Sequence, residues 1–174
     1  MRVVVAGIYR SASTWLYNAV RLSLAEVDTT YGAYVNDYHV NNKCKHHVIK
    51  TIRYNTDILG YADVVVTSYR NINDIISSMK RRREINIDER FTNESHYESI
   101  NIYLLYLLWW QKHSKYMMYY DDFINNKAGE LLKIHKVLGI SPNVDMVLEK
   151  LDSITIPEIG FDSITLYHAN HITK

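Results

Sequence analysis

Arg10, Ser11, Ser13 and Thr14 fill the stretch "YRSASTW" (Tyr9–Trp15) with groups suited to an anion: one guanidinium that can fork onto two oxygens, and three hydroxyl donors. Gly7 opens the stretch, as in a phosphate loop. The spacing of a nucleoside-triphosphate loop is nevertheless broken. Ala12 stands where that loop's second Gly would fall, and Ser13 where its Lys would. A second set lies further along in "SYRNINDIISSMKRR", where Ser78 follows Arg70 by eight positions. Both sets point to oxyanion binding, and neither has the spacing of a metal site.

The elements around these residues decide whether they can meet. A strand over Arg2–Ala6 leads into the loop, and the apolar spacing of Trp15, Leu16, Val20 and Leu24 predicts a helix over Ser13–Glu26. Such a strand-loop-helix turn aims backbone N–H groups at an anion, with the helix N-terminus adding partial positive charge. A plain connection with Ser13 as N-cap accounts for the loop equally well. "ADVVVTSYR" predicts a strand over Asp63–Ser68 buried on both faces. Arg70 then sits at its C-terminal end and Ser78 in a helix over Ile72–Glu84, capped by Asn71 or Asn73. Both would face the crevice where ligands bind in open α/β sheets.

Further strands are predicted over His47–Ile52 and Tyr116–Tyr120, with Thr29–His39 a strand or a loop. Helices are predicted over His96–Ser114, around Leu131–Leu138 with Gly139 as the stop, and after Ser141 as N-cap with Pro142 in the first turn. The tail beyond Pro157 has no regular pattern. Strands alternating with helices imply an α/β fold, a three-layer sandwich around a mostly parallel sheet, in one domain over residues 1–174.

Composition excludes several classes. With 47% hydrophobic and 22% charged residues the chain is not a disordered one, and its net charge of +1 gives no basic excess of the nucleic-acid-binding kind. The single Cys44 precludes an intrachain disulfide and suits a reducing, cytoplasmic compartment. "INIYLLYLLWW" (Ile100–Trp110) is shorter than the roughly 20 residues a membrane span requires and reads as a buried helix, with Trp109 or Trp110 available to border a pocket.

Taken in order, these stretches resemble the cytosolic-type sulfotransferases. "YRSASTW" is similar to the family's phosphosulfate loop, Tyr-Pro-Lys-Ser-Gly-Thr-Thr-Trp. "RNINDIISS" (Arg70–Ser78) resembles its 3′-phosphate motif, an Arg followed eight residues later by a Ser, and "YYDDF" followed by "LLKIHKVLGI" resembles its Tyr-Glu-Asp-Leu strand end and Phe-Leu-Gly helix. The resemblance implies a P-loop-like sulfotransferase fold and a donor, 3′-phosphoadenosine 5′-phosphosulfate (PAPS), with adenosine 3′,5′-bisphosphate (PAP) as product. It also implies that Arg10, Ser11, Ala12, Ser13 and Thr14 bind the 5′ group, that Trp15 lies against adenine, and that Arg70 and Ser78 hold the 3′-phosphate. The acceptor would be a hydroxyl or amine on a small molecule or a glycan. No metal, nucleic acid or membrane is expected, and a homo-oligomer is left open.

Two departures bear on mechanism. The loop Lys of the family is Arg10 here, a permanent cation that can stabilise the bridging oxygen but not give up a proton. The family's Lys-Thr-His reads "VIKTIRY" (Val48–Tyr54), so Lys50 and Thr51 match while Ile52 takes the His position. Lys50 is then a second cation near the transferred group. The base is sought among His46 and His47, with Asp37, His39 and His96 more remote, and His47 is carried forward with Arg10 and Lys50 as catalytic. "KRRRE" (Lys80–Glu84) reads as a solvated helix end, and Asp121 and Asp122 as structural. His168, His171 and Lys174 in "LYHANHITK" stand where longer members close over the 3′-phosphate. Two alternatives remain: a P-loop kinase of small metabolites or nucleosides, and a protein that binds PAP or PAPS without turnover.

Overall fold

Val3 and Val5 point to one face of a central sheet, while Val4 and Ala6 point to the other; all four are wholly buried. A strand whose alternate residues are all apolar must be covered on both sides, and the chain meets that demand with helices above and below. The computed structural model describes residues 1–41, 43–81 and 94–169. Arg82, Arg83, Glu84, His171 and Lys174 lie outside the described residues, as do the side chains of Lys80, Arg81 and His96.

The elements run β1 (Arg2–Gly7), α1 (Ser13–Ala25), β2 (Thr30–Tyr34), β3 (His46–Thr51), α2 (Thr56–Tyr61), β4 (Val64–Tyr69), α3 (Ile72–Arg81), α4 (Glu94–His113), β5 (Tyr116–Tyr119), α5 (Tyr120–Asn125), α6 (Lys127–Leu138) and α7 (Val144–Asp152). The five strands are parallel throughout, in the order β2-β3-β1-β4-β5. Val3 of β1 pairs with Val48 and Val64, and Gly7 at its end pairs with Ser68. The chain crosses from β3 to β4 over β1, so the sheet's crevice opens at the C-terminal end of β1.

On one face Leu16, Val20 and Leu24 of α1 pack on Val3, Val5, Val48 and Val66, together with Leu131 and Ile134 of α6 and Val147 of α7. On the other, Trp110 of α4 packs with Val4, Ala6, Ile49 and Val65, and Ile58 and Leu59 of α2 close the layer. Trp110 is wholly buried and donates through Nε1 to the Arg53 carbonyl at 3.2 Å, so it belongs to the core. Among the described residues no helix is long and apolar enough to cross a membrane.

Two short helices were not foreseen. The Asn55 side chain accepts from the N–H groups of Asp57 and Ile58 at 2.8 and 3.0 Å and starts α2, and Asn126 separates α5 from α6 by accepting from the Gly129 N–H at 2.8 Å. Gly139, at φ 66°, ends α6 as expected. The last helix corrects the expectation for Ser141 and Pro142. Its N-cap is Asn143, whose side-chain Oδ1 accepts from the Met146 N–H at 3.1 Å, so Pro142 stays ahead of the helix.

Candidate functional site

The loop between β1 and α1 begins where backbone passes so close to side chains that only Gly fits. A Cβ on Gly7 would lie 2.3 Å from Ser68 Oγ, 2.9 Å from Ser13 Cβ and 3.1 Å from Ser11 Oγ. Ser11 is wholly buried, and its hydroxyl donates to the Ile8 carbonyl at 2.7 Å while sharing a 2.8 Å hydrogen bond with Ser68 Oγ. That hydroxyl braces the loop from inside and does not face the crevice. Arg10 and Ala12 both take left-handed backbone, at φ 62° and 63°. Ala12 is the N-cap of α1 and gives it no side-chain cap, so Ser13 is the first helical residue and not the cap. The cap residue thus offers no side-chain acceptor to the first N–H groups of a long helix, at the point where an anion would sit.

Lys50 enters from the neighbouring strand. Nearly buried at the C-terminal end of β3, it donates from Nζ to Thr14 Oγ1 at 2.5 Å. Burial pushes its pKa down to about 8, because the charged form loses its hydration there.

From the other side, Arg70 follows β4. Its Nη1 donates to the Arg10 carbonyl at 3.3 Å, its guanidinium carbon lies 3.8 Å from the centre of the Tyr120 ring, and its Nε is buried without a hydrogen-bond partner. Arg10 Nε in turn donates to Ser78 Oγ at 3.3 Å. The structure therefore brings Arg10, Arg70 and Ser78 into one connected group. Trp15, half-buried, leans on Phe123 with ring centres 4.4 Å apart, and Phe123 abuts Tyr120 at 6.0 Å. One aromatic ridge thus runs from Trp15 to the ring beneath Arg70.

His47 is not brought to this group. It begins β3 at the opposite edge of the sheet, and three positions along a strand put it roughly 10 Å from Lys50 and on the other face. Its ring nitrogens meet Tyr38 Oη at 2.7 Å and the Cys44 carbonyl at 3.3 Å. His46 lies against the N-terminal amine and His39 against Tyr31 Oη, both also away from the loop. Trp109 borders a separate open groove with Tyr54 and His113.

A chamber of about 720 Å³ opens beside the loop and Lys50, while Arg70, Ser78 and Trp15 are not among its lining residues. It is bordered by Arg10, Ser13, Thr14, Lys50 and Ile52, by Tyr34, Asp37 and Arg53, and by Phe161, Leu166 and His168. Sequence reasoning left Thr29–His39 undecided and read the tail as irregular, so it missed Tyr34, Arg53, Phe161 and Leu166. Residues 160–169 of the tail form a compact turn. Asp162 Oδ1 accepts from the N–H groups of Ile164 and Thr165 at 2.7 and 3.1 Å, and Phe161 pairs with His168 in an antiparallel bridge. Gly160, at φ 81°, and Asp162 were the available signal, since that pairing marks turns.

No family model and no curated sequence matches the chain. Solved structures do. Retinol dehydratase in complex with androsterone and inactive cofactor PAP superposes with a TM-score of 0.61 at 15% identity, over 87% of this chain and 63% of that one. The same enzyme with retinol and PAP gives 0.61 at 14%, over 88% and 64%. Mouse sulfotransferase SULT7A1 complexed with PAP gives 0.64 at 14%, over 95% and 71%. The chain has the sulfotransferase fold. It spans less than two thirds of the length of the two retinol dehydratase chains. Within the sulfotransferase fold its loop, Lys50 and the Arg70–Arg10–Ser78 group share the C-terminal edge of the sheet.

Proposed function

We propose that this chain is a cytoplasmic sulfotransferase that moves a sulfuryl group from PAPS to a hydroxyl or amine of a small-molecule or glycan acceptor, releasing PAP. The observation that carries the reading is the Arg70 guanidinium, anchored to the carbonyl of Arg10 while its buried Nε has no acceptor. A buried donor of this kind calls for an oxyanion, and it lies beside, not inside, the loop that would take the 5′ group. A nucleotide with phosphates at two separate positions satisfies both places; a triphosphate satisfies one.

The residues present suit the donor. The N–H groups of the first turn of α1, with Ser13 and Thr14, would hold the 5′ phosphosulfate. Arg70 and Ser78 would hold the 3′-phosphate, and the ridge at Trp15 would border adenine. Arg10 and Lys50 lie where charge gathers on the leaving phosphate, and sulfuryl transfer is governed by positioning and by neutralising that charge. His47 has no part in this scheme.

Calorimetric titration with PAP, adenosine 5′-monophosphate, and ATP with magnesium tests the reading. The expected result is tight binding of PAP alone. Preference for ATP with magnesium would replace it with the kinase reading, and PAP binding without turnover of any acceptor would leave a nucleotide-binding protein.

A further inference from the structure

We infer that His168, in the lining of the chamber that the loop also borders, is the group that takes the acceptor's proton. The inference rests on the sulfuryl-transfer reading above. His168 borders the same chamber as Arg10, Thr14 and Lys50, and Ile52, apolar and nearly buried, borders it at the end of β3. The segment carrying His168 is held in place. Its backbone bridges to Phe161, Leu166 beneath it is 3% exposed within the main core, and the turn is tied to α1 by Tyr17 Oη on the Ile164 carbonyl at 3.1 Å and Asn18 Nδ2 on the Thr165 carbonyl at 2.7 Å. The helix that follows the anion loop therefore also anchors the segment carrying His168.

The other titratable groups facing the chamber do not suit the task. The guanidinium groups of Arg10 and Arg53 carry N–H donors and no acceptor. The phenols of Tyr9 and Tyr34 belong to a class that keeps its protons until about pH 10. Asp37 is exposed, and an exposed carboxylate is a weak base. Lys50 is bonded to the hydroxyl of Thr14, and a donor anion there favours its charged form. On the segment itself, Asp162 is taken up by the N–H groups of Ile164 and Thr165, and burial pushes Tyr167 up to about 12. An imidazole, with an ordinary pKa of about 6.5, is the match for a base working near neutrality.

The step balances as follows. A ring nitrogen of His168 accepts the acceptor's O–H proton as that oxygen bonds to sulfur. The bond from sulfur to the bridging oxygen breaks, and its electron pair leaves with the 5′-phosphate of PAP. Imidazolium then returns the proton to water.

Two arms test this. In the first, the His168 ring resonance, assigned by its loss in H168Q, is titrated with and without PAP, while calorimetry compares PAP binding by both proteins. We expect PAP affinity to be equal in the two proteins at a pH high enough to keep the imidazole neutral, and a His168 titration moved to higher pH by the bound phosphate; PAP bound with an unmoved titration overturns the inference alone. Absence of PAP binding by the unaltered protein overturns the donor reading, and this inference with it. In the second arm PAPS is supplied with 2-naphthol or benzyl alcohol as probe acceptors. H168Q should lower turnover about a hundredfold or more, more for the less acidic benzyl alcohol, and should abolish the fall in rate on the acid side of the His168 titration found in the first arm. Equal rates in both proteins overturn it, and if neither probe turns over, the titration decides.

Discussion

Lys50 Nζ stands 2.5 Å from Thr14 Oγ1, fastening the C-terminal end of β3 to the first turn of α1. The contact joins the second strand of the sheet's interior to the anion loop through a group whose charge is held at a disadvantage by burial. In a resting loop that charge lacks an ionic partner among the causes acting on it, and an arriving oxyanion would supply one.

The buried Lys50 gives stability a defined pH dependence. Below about pH 8 the amine is charged in folded and unfolded chains alike, so the burial penalty is present in full; between 8 and 10.5 the folded chain has lost a proton that the unfolded chain keeps. Stability from this group therefore rises with pH across that window. Thermal melts should find K50M ahead of the unaltered protein at pH 7 by a margin that shrinks towards pH 10.5. A constant margin would mean that Lys50 is not desolvated.

Arg70→Ala should separate the two phosphate positions. Losing charge-assisted hydrogen bonds worth roughly 1.5–3 kcal/mol should weaken PAP about tenfold to a hundredfold while leaving adenosine 5′-monophosphate nearly unchanged. Equal losses for both nucleotides would remove Arg70 from the 3′ position.

Gly7→Ala should destabilise the chain by about 1–3 kcal/mol through overpacking, since the new methyl falls 2.3 Å from Ser68 Oγ and 2.9 Å from Ser13 Cβ. Removing one of those neighbours in a G7A/S68A double variant should restore part of the loss in denaturant melts. Full tolerance of the single change would contradict the close approach of β4 to the loop.

Ala12→Gly should act in the opposite direction. A side chain at φ 63° carries a penalty of roughly 1–2 kcal/mol that Gly escapes, offset partly by the freer unfolded chain. A melting temperature raised by a few degrees is the expected outcome; a lowered one would argue against the left-handed turn.

What the sequence disclosed follows from how its signals are made. Runs such as Val64–Val66 are apolar at every position because helices cover both faces, and that leaves a plain mark whatever the surroundings. Gly139 and Asn71 act on their own neighbours, and local chemistry of that kind is also legible. Motif spacing set Arg70 with Ser78, but the contacts of Arg10 with both were not legible, since nothing local to Arg10 announces a contact made across the sheet. Asn143 displaced Ser141 because both are good caps and only the packing of the following helix decides between them. His47 drew attention by nearness in sequence to Lys50, but strand direction carries the two to opposite edges. Phe161 left no trace beyond a turn signal, and His168 was singled out only for the 3′-phosphate, because their place in the chamber lining depends on hydrogen bonds made by Tyr17 and Asn18.

That dependence has a temporal side. Gly7, Arg10, Lys50, Arg70 and Ser78 all precede α4, so a ribosome has finished every residue proposed to serve a phosphate well before it reaches Phe161. The lining at Phe161, Leu166 and His168 is made last and must find a helix made first. A growing chain would hold its nucleotide cradle open to solvent until that late arrival, and a chaperone or a bound nucleotide would have its longest opportunity to act there.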